Sequence, residues 1–125
     1  MDPVEAARRW VEAWRRGWLD HDPEVIAARY AEAAEFRSHP FREPLFGPEG
    51  ARAYAAQAFA EELEARPVFG EPIVSDGGRA AVEYRAEIVN ADGSGSVLAG
   101  VTVLRFDQDG FVLEHRDYWA MQPEA

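Results

Sequence analysis

The sequence contains no cysteine and no lysine, and each absence closes a class of chemistry. Without cysteine there are no disulfide frameworks, no thiolate metal sites and no cysteine nucleophiles. All 13 basic residues are arginine, so a Schiff-base mechanism or a Walker-type phosphate loop has no residue to use. Positive charge is itself scarce: 13 arginines stand against 23 acidic residues, a net charge of -10. That sign repels phosphate backbones and anionic lipid, so neither nucleic acid nor a membrane is expected as a partner. No apolar run approaches the roughly 18 residues of a membrane span, and the N-terminus MDPVEAARRW has no signal-peptide apolar core. A soluble cytoplasmic protein is the expectation.

What is present suits one globular domain over residues 1–125, with 47% hydrophobic residues to build a core. A chain of this size buries roughly two-thirds of its unfolded surface and needs no staple. Val4, Ala7, Trp10, Val11 and Trp14 recur at three- and four-residue spacing, which predicts an amphipathic helix over 3–17, begun by Asp2-Pro3 and stopped by Gly17. Asp22-Pro23 opens a second short helix carrying Val25, Ile26 and Tyr30 inward. Residues 34–41 read as a first strand, followed by a proline-containing loop over 42–48. A third helix is predicted from Gly47-Pro48-Glu49 to about Ala65, with Glu61, Glu62 and Glu64 on a solvated face. From Pro67 the period changes to two, giving strands over 68–75, 79–90, 96–107 and 111–121 joined by glycine-containing turns. The result is an α+β domain whose helices pack on one face of a curved antiparallel sheet.

Strand parity says which side chains look inward. Val82, Tyr84, Ala86 and Ile88 alternate with Glu83, Arg85 and Glu87, so the apolar set faces the helices. Strand 96–107 is apolar on both parities, and a homodimer through the outer face at Val101 and Val103 would cover it. In the last strand, Glu114 and Arg116 can join Arg105 on the outer face. His115, Asp117 and Trp119 then turn inward, where a histidine and a carboxylate are costly unless paired or met by ligand and water.

These residues resemble the nuclear transport factor 2-like superfamily, and within it the SnoaL-like (polyketide cyclase-like) proteins. The carriers are the Trp-rich first helix, Phe36-Arg37-Ser38-His39-Pro40, the segment Gly47 to Tyr54, Val82-Glu83-Tyr84-Arg85-Ala86-Glu87, Phe106-Asp107-Gln108-Asp109-Gly110 and the closing His115-Arg116-Asp117-Tyr118-Trp119. The resemblance implies a cone: a strongly bent antiparallel sheet, three helices of the N-terminal half on its concave face, an apolar cavity and a dimer across the sheet. It also implies an apolar small-molecule ligand and no cofactor. Against the ketosteroid isomerase branch, the general-base aspartate falls on His39, the oxyanion-hole aspartate on Thr102 and the first-helix tyrosine on Trp10, so that chemistry loses its polar partners. Against the limonene epoxide hydrolase branch, Arg116-Asp117-Tyr118 matches and makes Asp117 the water-activating carboxylate, while the tyrosine and asparagine that hold the water fall on Phe36 and Ser38. The scytalone dehydratase branch is similar only in kind, with a His and an Asp facing an aromatic cavity.

Three residues are therefore candidates for proton chemistry: Asp117, His115 and His39. His39 sits at a strand end beside Pro40, where an imidazole can take or return a proton or can simply bond the backbone. His115 and Asp117, two apart on one strand, point the same way and can share a ligand or water, or form a purely structural network. Trp10, Trp14, Tyr54, Tyr84, Thr102 and Trp119 are the candidate ligand contacts, with core packing as the competing role. His21, in Asp20-His21-Asp22, falls in a solvated helix connection, and no metal site is expected. The expected function is a cofactor-free acid/base enzyme (isomerase, dehydratase or hydrolase). The alternatives are a non-catalytic module for a lipophilic ligand or a dimeric interaction domain.

Overall fold

The computed structural model describes residues 1–124. Helix α1 spans Pro3–Asp20, capped by the Asp2 carboxylate, which accepts from the Val4 amide at 2.9 Å. It buries Ala6, Ala7, Trp10, Ala13 and Trp14 along one face. The helix does not stop at Gly17 but runs three residues further, to a left-handed His21 with φ 52°. Gly17 instead gives helix α2 (Pro23–Ala27) room to dock: a Cβ there would lie 2.7 Å from Ile26 Cγ1 and 2.9 Å from the Asp22 carbonyl.

Strand β1 covers Tyr30–Arg37, starting four residues before the expected Ala34, and buries Tyr30, Ala34 and Phe36. The short β2 (Leu45–Phe46) pairs back onto it before α3 (Gly47–Ala60) begins. Helix α3 ends at Ala60 and not near Ala65. Residues Glu62–Phe69 form β3, whose partner is β5 (Arg79–Asn90). The helix-favouring composition around Glu61 to Arg66 yields to this pairing, which buries Ala65 and Pro67 on alternate positions. Pro67 is tolerated because β3 is an edge strand. After β4 (Ile73–Ser75), which pairs with the start of β5, come β6 (Gly95–Phe106) and β7 (Val112–Pro123).

The strand order is β2-β1-β7-β6-β5-β3, with β4 beside β5. One ladder departs from the expected antiparallel pattern: β1 runs parallel to β7, so the curved sheet is mixed. A helix and several strands separate these two in sequence, so no tight turn dictates their relative direction. The helices cover the concave face, and the core gathers Trp10, Ile26, Tyr30, Phe36, Val82 and Leu104 between the layers.

Parity follows the sequence reading. Ala80, Val82, Ala86 and Ile88 are buried, while Glu83, Arg85 and Glu87 are exposed. A register shift between Arg105 and Phe106 lets Val112 point inward before His115 and Asp117 do the same. On the outer face the Arg105 guanidinium meets Glu114 at 2.7 Å and that of Arg116 meets it at 3.1 Å, and the Arg105 hydrogen bond holds the Glu114 carboxyl below its usual range. At the centre of the sheet the β7 backbone passes close to Gly100, where a Cβ would fall 2.7 Å from Trp119 Cβ and 2.8 Å from Trp119 Cα. Neither neighbour is a flexible side-chain end, so Gly100→Ala should lower stability by about 1–3 kcal/mol. A urea melt with a lowered midpoint and an unchanged slope is expected.

Candidate active site

Trp10 and Trp14 lie one turn apart on α1 and converge on a single atom. Both indole N–H groups donate to the Tyr30 hydroxyl oxygen, each at 3.0 Å. A hydroxyl offers two lone pairs and one hydrogen. With both lone pairs occupied, the Tyr30 hydrogen is directed to its remaining neighbour, His115 Nδ1, at 2.7 Å. Nδ1 is therefore the acceptor, and the neutral ring carries its hydrogen on Nε2. Phe36 stacks on the imidazole with centroids 3.8 Å apart and fixes its plane.

Nε2 lies 2.8 Å from Asp117 Oδ1, but the oxygen is too far off the N–H direction to make a hydrogen bond, and Nε2 is a buried donor without an acceptor among the described residues. Electrostatics still favours that N–H beside a carboxylate. Thr102, across the ladder on β6, donates its hydroxyl to the same Oδ1 at 2.5 Å. Among the described residues nothing donates to Oδ2. The carboxylate is 7% exposed and His115 1%, so Asp117 is the end of this string nearest open space.

That space is a cavity of about 580 Å³ under the helices. Trp10, Trp14, Trp18, Phe69, Tyr84 and Trp119 supply apolar walls, and Asp117, Thr102, Glu62, Gln57, Asn90 and Arg42 supply polar groups. Its size lies within the range of small-molecule sites. Burial pushes the Tyr84 phenol well up, with the Asp117 charge adding to it. The Tyr54 phenol is pushed up to about 12, again by burial first and the Asp117 charge second. Both therefore remain hydrogen-bond donors at neutral pH. Trp119 is held by its indole N–H on the Ser38 carbonyl at 2.6 Å, and the Arg42 guanidinium lies 5.4 Å over its ring.

The sequence profile of the SnoaL-like domain matches residues 7–115. The chain belongs to the SnoaL-like family. No curated protein sequence matches it. Among solved structures, it is similar to a hexachlorocyclohexane dehydrochlorinase (LinA) type 2, at 14% identity over 97% of this chain and 88% of that one, with a TM-score of 0.83. It is similar also to RV0760c from Mycobacterium tuberculosis, at 18% identity over 99% and 100% with a TM-score of 0.81. A third is SalBIII, an epoxide hydrolase/cyclase-like enzyme of pyran ring formation in salinomycin, at 18% identity over 98% and 100% with a TM-score of 0.81. These likenesses show a nuclear transport factor 2-like fold.

In this SnoaL-like chain Trp10, Trp14, Tyr54, Tyr84, Thr102, His115, Asp117 and Trp119 all line one cavity. His39 does not. Its Nδ1 accepts from the Phe41 amide at 3.3 Å, and its ring packs edge-on against Trp119, 5.2 Å away. The preceding strand ends at Arg37, so His39 belongs to the loop that clamps Trp119 and not to the inward face of β1. Tyr30 was expected only as an inward apolar ring, and its hydroxyl turns out to organise the site. Glu62 was expected on a solvated helix face, yet it stands on β3 with its side chain 6% exposed, because the helix ends before it. His21 is only partly solvated: it stacks on Phe59 at 4.9 Å and approaches Glu62. Helical spacing of Trp10 and Trp14 signalled a shared target, but no local pattern named it.

Replacing Tyr30 with phenylalanine leaves two indole N–H groups and one imidazole nitrogen without their partner. At roughly 1–3 kcal/mol for each buried group left unmet, Tyr30→Phe should lose at least about 3 kcal/mol in urea unfolding. A loss below about 1 kcal/mol would show that the three groups find other partners.

Proposed function

We propose that this SnoaL-like protein binds an apolar small molecule in the cavity and that Asp117 moves a proton on it, as an isomerase, dehydratase or hydrolase acting without a cofactor. The observation that carries this reading is the Asp117 carboxylate: more than nine-tenths buried, anchored through Oδ1 and left with Oδ2 free at an aromatic wall. A charge in such surroundings is costly unless it is paired or hydrogen-bonded, and Thr102 is the one hydrogen-bond donor to it among the described residues. Asp117 takes a proton from an acidic carbon or from a water beside the ligand. Thr102 holds Oδ1 by a hydrogen bond and is the positioning group, while the His115 Nε2–H lies beside the carboxylate without bonding it. Trp10, Trp14, Tyr54, Tyr84 and Trp119 serve as the ligand's contacts. His39, outside the lining, takes no part. The printed names of two structural relatives, a dehydrochlorinase and an epoxide hydrolase/cyclase-like enzyme, accord with such chemistry.

One observation favours a non-catalytic lipophilic-ligand module instead: His115, although it borders the cavity, is 1% exposed and offers a ligand almost no surface. A single probe separates the two readings. In 5-nitrobenzisoxazole a base removes the carbon-bound proton, the N–O bond breaks, and a coloured cyanophenolate is released. The wild-type protein should accelerate this elimination about 100-fold over Asp117→Asn, while both proteins bind the probe equally in calorimetry. Equal rates for the two would leave the binding module.

We further propose that the protein pairs with a second copy through the outer sheet face, where Val97, Val101 and Val103 lie half-buried and Tyr118 is 45% exposed. Sedimentation at micromolar concentration should return a dimer, and a monomer throughout would exclude that interface.

A further inference from the structure

The cavity holds a second buried carboxyl, three strands across the sheet from Asp117. Strands β7 and β3 are separated by β6 and β5, about 14 Å measured along the sheet at the usual strand spacing, and the curvature turns both toward the same space. Glu62 lines that space with its side chain 6% exposed. Its two oxygens are not equivalent. The Trp18 indole N–H donates to Oε1 at 2.8 Å, and His21 Nε2 faces the same Oε1 at 3.1 Å. Among the described residues nothing bonds Oε2. The Trp18 N–H makes Oε1 the carbonyl-like oxygen, so a proton on this carboxyl resides on Oε2. His21 lies outside the cavity lining and is 27% exposed, which places it between Glu62 and solvent.

We propose that Glu62 is the proton donor of the cavity, opposed to Asp117 as the acceptor, and that His21 reloads it from solvent. This rests on the acid/base reading of Asp117 given above. In one turnover Asp117 gains a proton from a ligand carbon, and the Glu62 O–H gives one to a ligand oxygen or to a second carbon. The ligand leaves with unchanged charge, Asp117 returns its proton to water, and His21 passes one from solvent to Oε1, which a half-turn of the carboxyl then carries to the cavity side. The ligand class is thus a neutral molecule carrying an acidic C–H and, across the ring or chain, a hydrogen-bond-accepting oxygen or an alkene carbon. Burial raises the Glu62 carboxyl above its ordinary range, the Trp18 N–H and His21 oppose this, and the neighbouring Glu61 charge reinforces it. Asn90, its partner on β5, carries no charge.

The test combines two readouts on the intact protein. Carboxyl carbon NMR of glutamate-labelled protein, with Glu62→Gln to identify the resonance, should show Glu62 titrating above the exposed glutamates, and His21→Ala should move it higher still. The elimination of 5-nitrobenzisoxazole should fall at high pH with the same midpoint. That limb should shift in His21→Ala and vanish in Glu62→Gln, whose rate below the midpoint drops about tenfold or more. Titration of Glu62 together with the exposed glutamates, or a limb that survives Glu62→Gln unchanged, overturns the proposal while leaving Asp117 as a base. A raised, His21-dependent Glu62 in a protein whose elimination ignores Asp117 overturns the base reading and keeps the donor.

Discussion

A hydroxyl group has one hydrogen to give and two lone pairs to offer, and the architecture of this protein turns on that limit at Tyr30. Trp10 and Trp14 take both lone pairs, and His115 receives the hydrogen. These contacts join the first helix, the first strand and the last strand at one buried atom. Each partner would otherwise be a polar group stranded in a core of Phe36, Ile26 and Leu104. The same three bonds dock α1 on the sheet, set the plane of the imidazole and decide which of its nitrogens faces Asp117. Because the two indoles are spent on Tyr30, their faces and not their N–H groups are presented to the cavity.

The cavity itself follows from strand parity and a close approach. Inward positions of β5, β6 and β7 carry Val82, Thr102, His115 and Asp117, and Gly100 lets the β7 backbone come in where any side chain would hold it off. Trp18 packs over the small inward residues Ala65 and Ala86 at one flank of that space. Polar groups are sparse there and each is oriented: Asp117 by Thr102, Glu62 by Trp18 and His21, Trp119 by the Ser38 carbonyl. A few fixed polar groups in an apolar space are the arrangement that small-molecule sites have in common.

Much of this could be read before any coordinates. The two-residue period of β5 gave its buried face, and the charged pairing of Glu114 with Arg105 and Arg116 correctly sent His115 and Asp117 inward. What escaped was set by distant partners. Tyr30 meets residues 16, 20 and 85 positions away, and no local pattern encodes such a meeting. The helix-like run before Pro67 became an edge strand only because β5 was there to pair with it. That shift is also what carried Glu62 from an expected solvated face into the cavity. His39 illustrates the converse: a resemblance placed it by alignment with a catalytic aspartate, but the strand ends before it and the loop turns its ring onto Trp119.

The hydrogen between Tyr30 and His115 fixes the tautomer of the imidazole, and long-range proton–nitrogen correlation NMR of the histidine rings reports it directly. For His115 in its neutral form the spectrum should show a protonated Nε2 and a bare, hydrogen-bonded Nδ1. A ring protonated on Nδ1 would contradict it, because Tyr30 would then have to accept three donors, and the N–H placed beside Asp117 would fall with it.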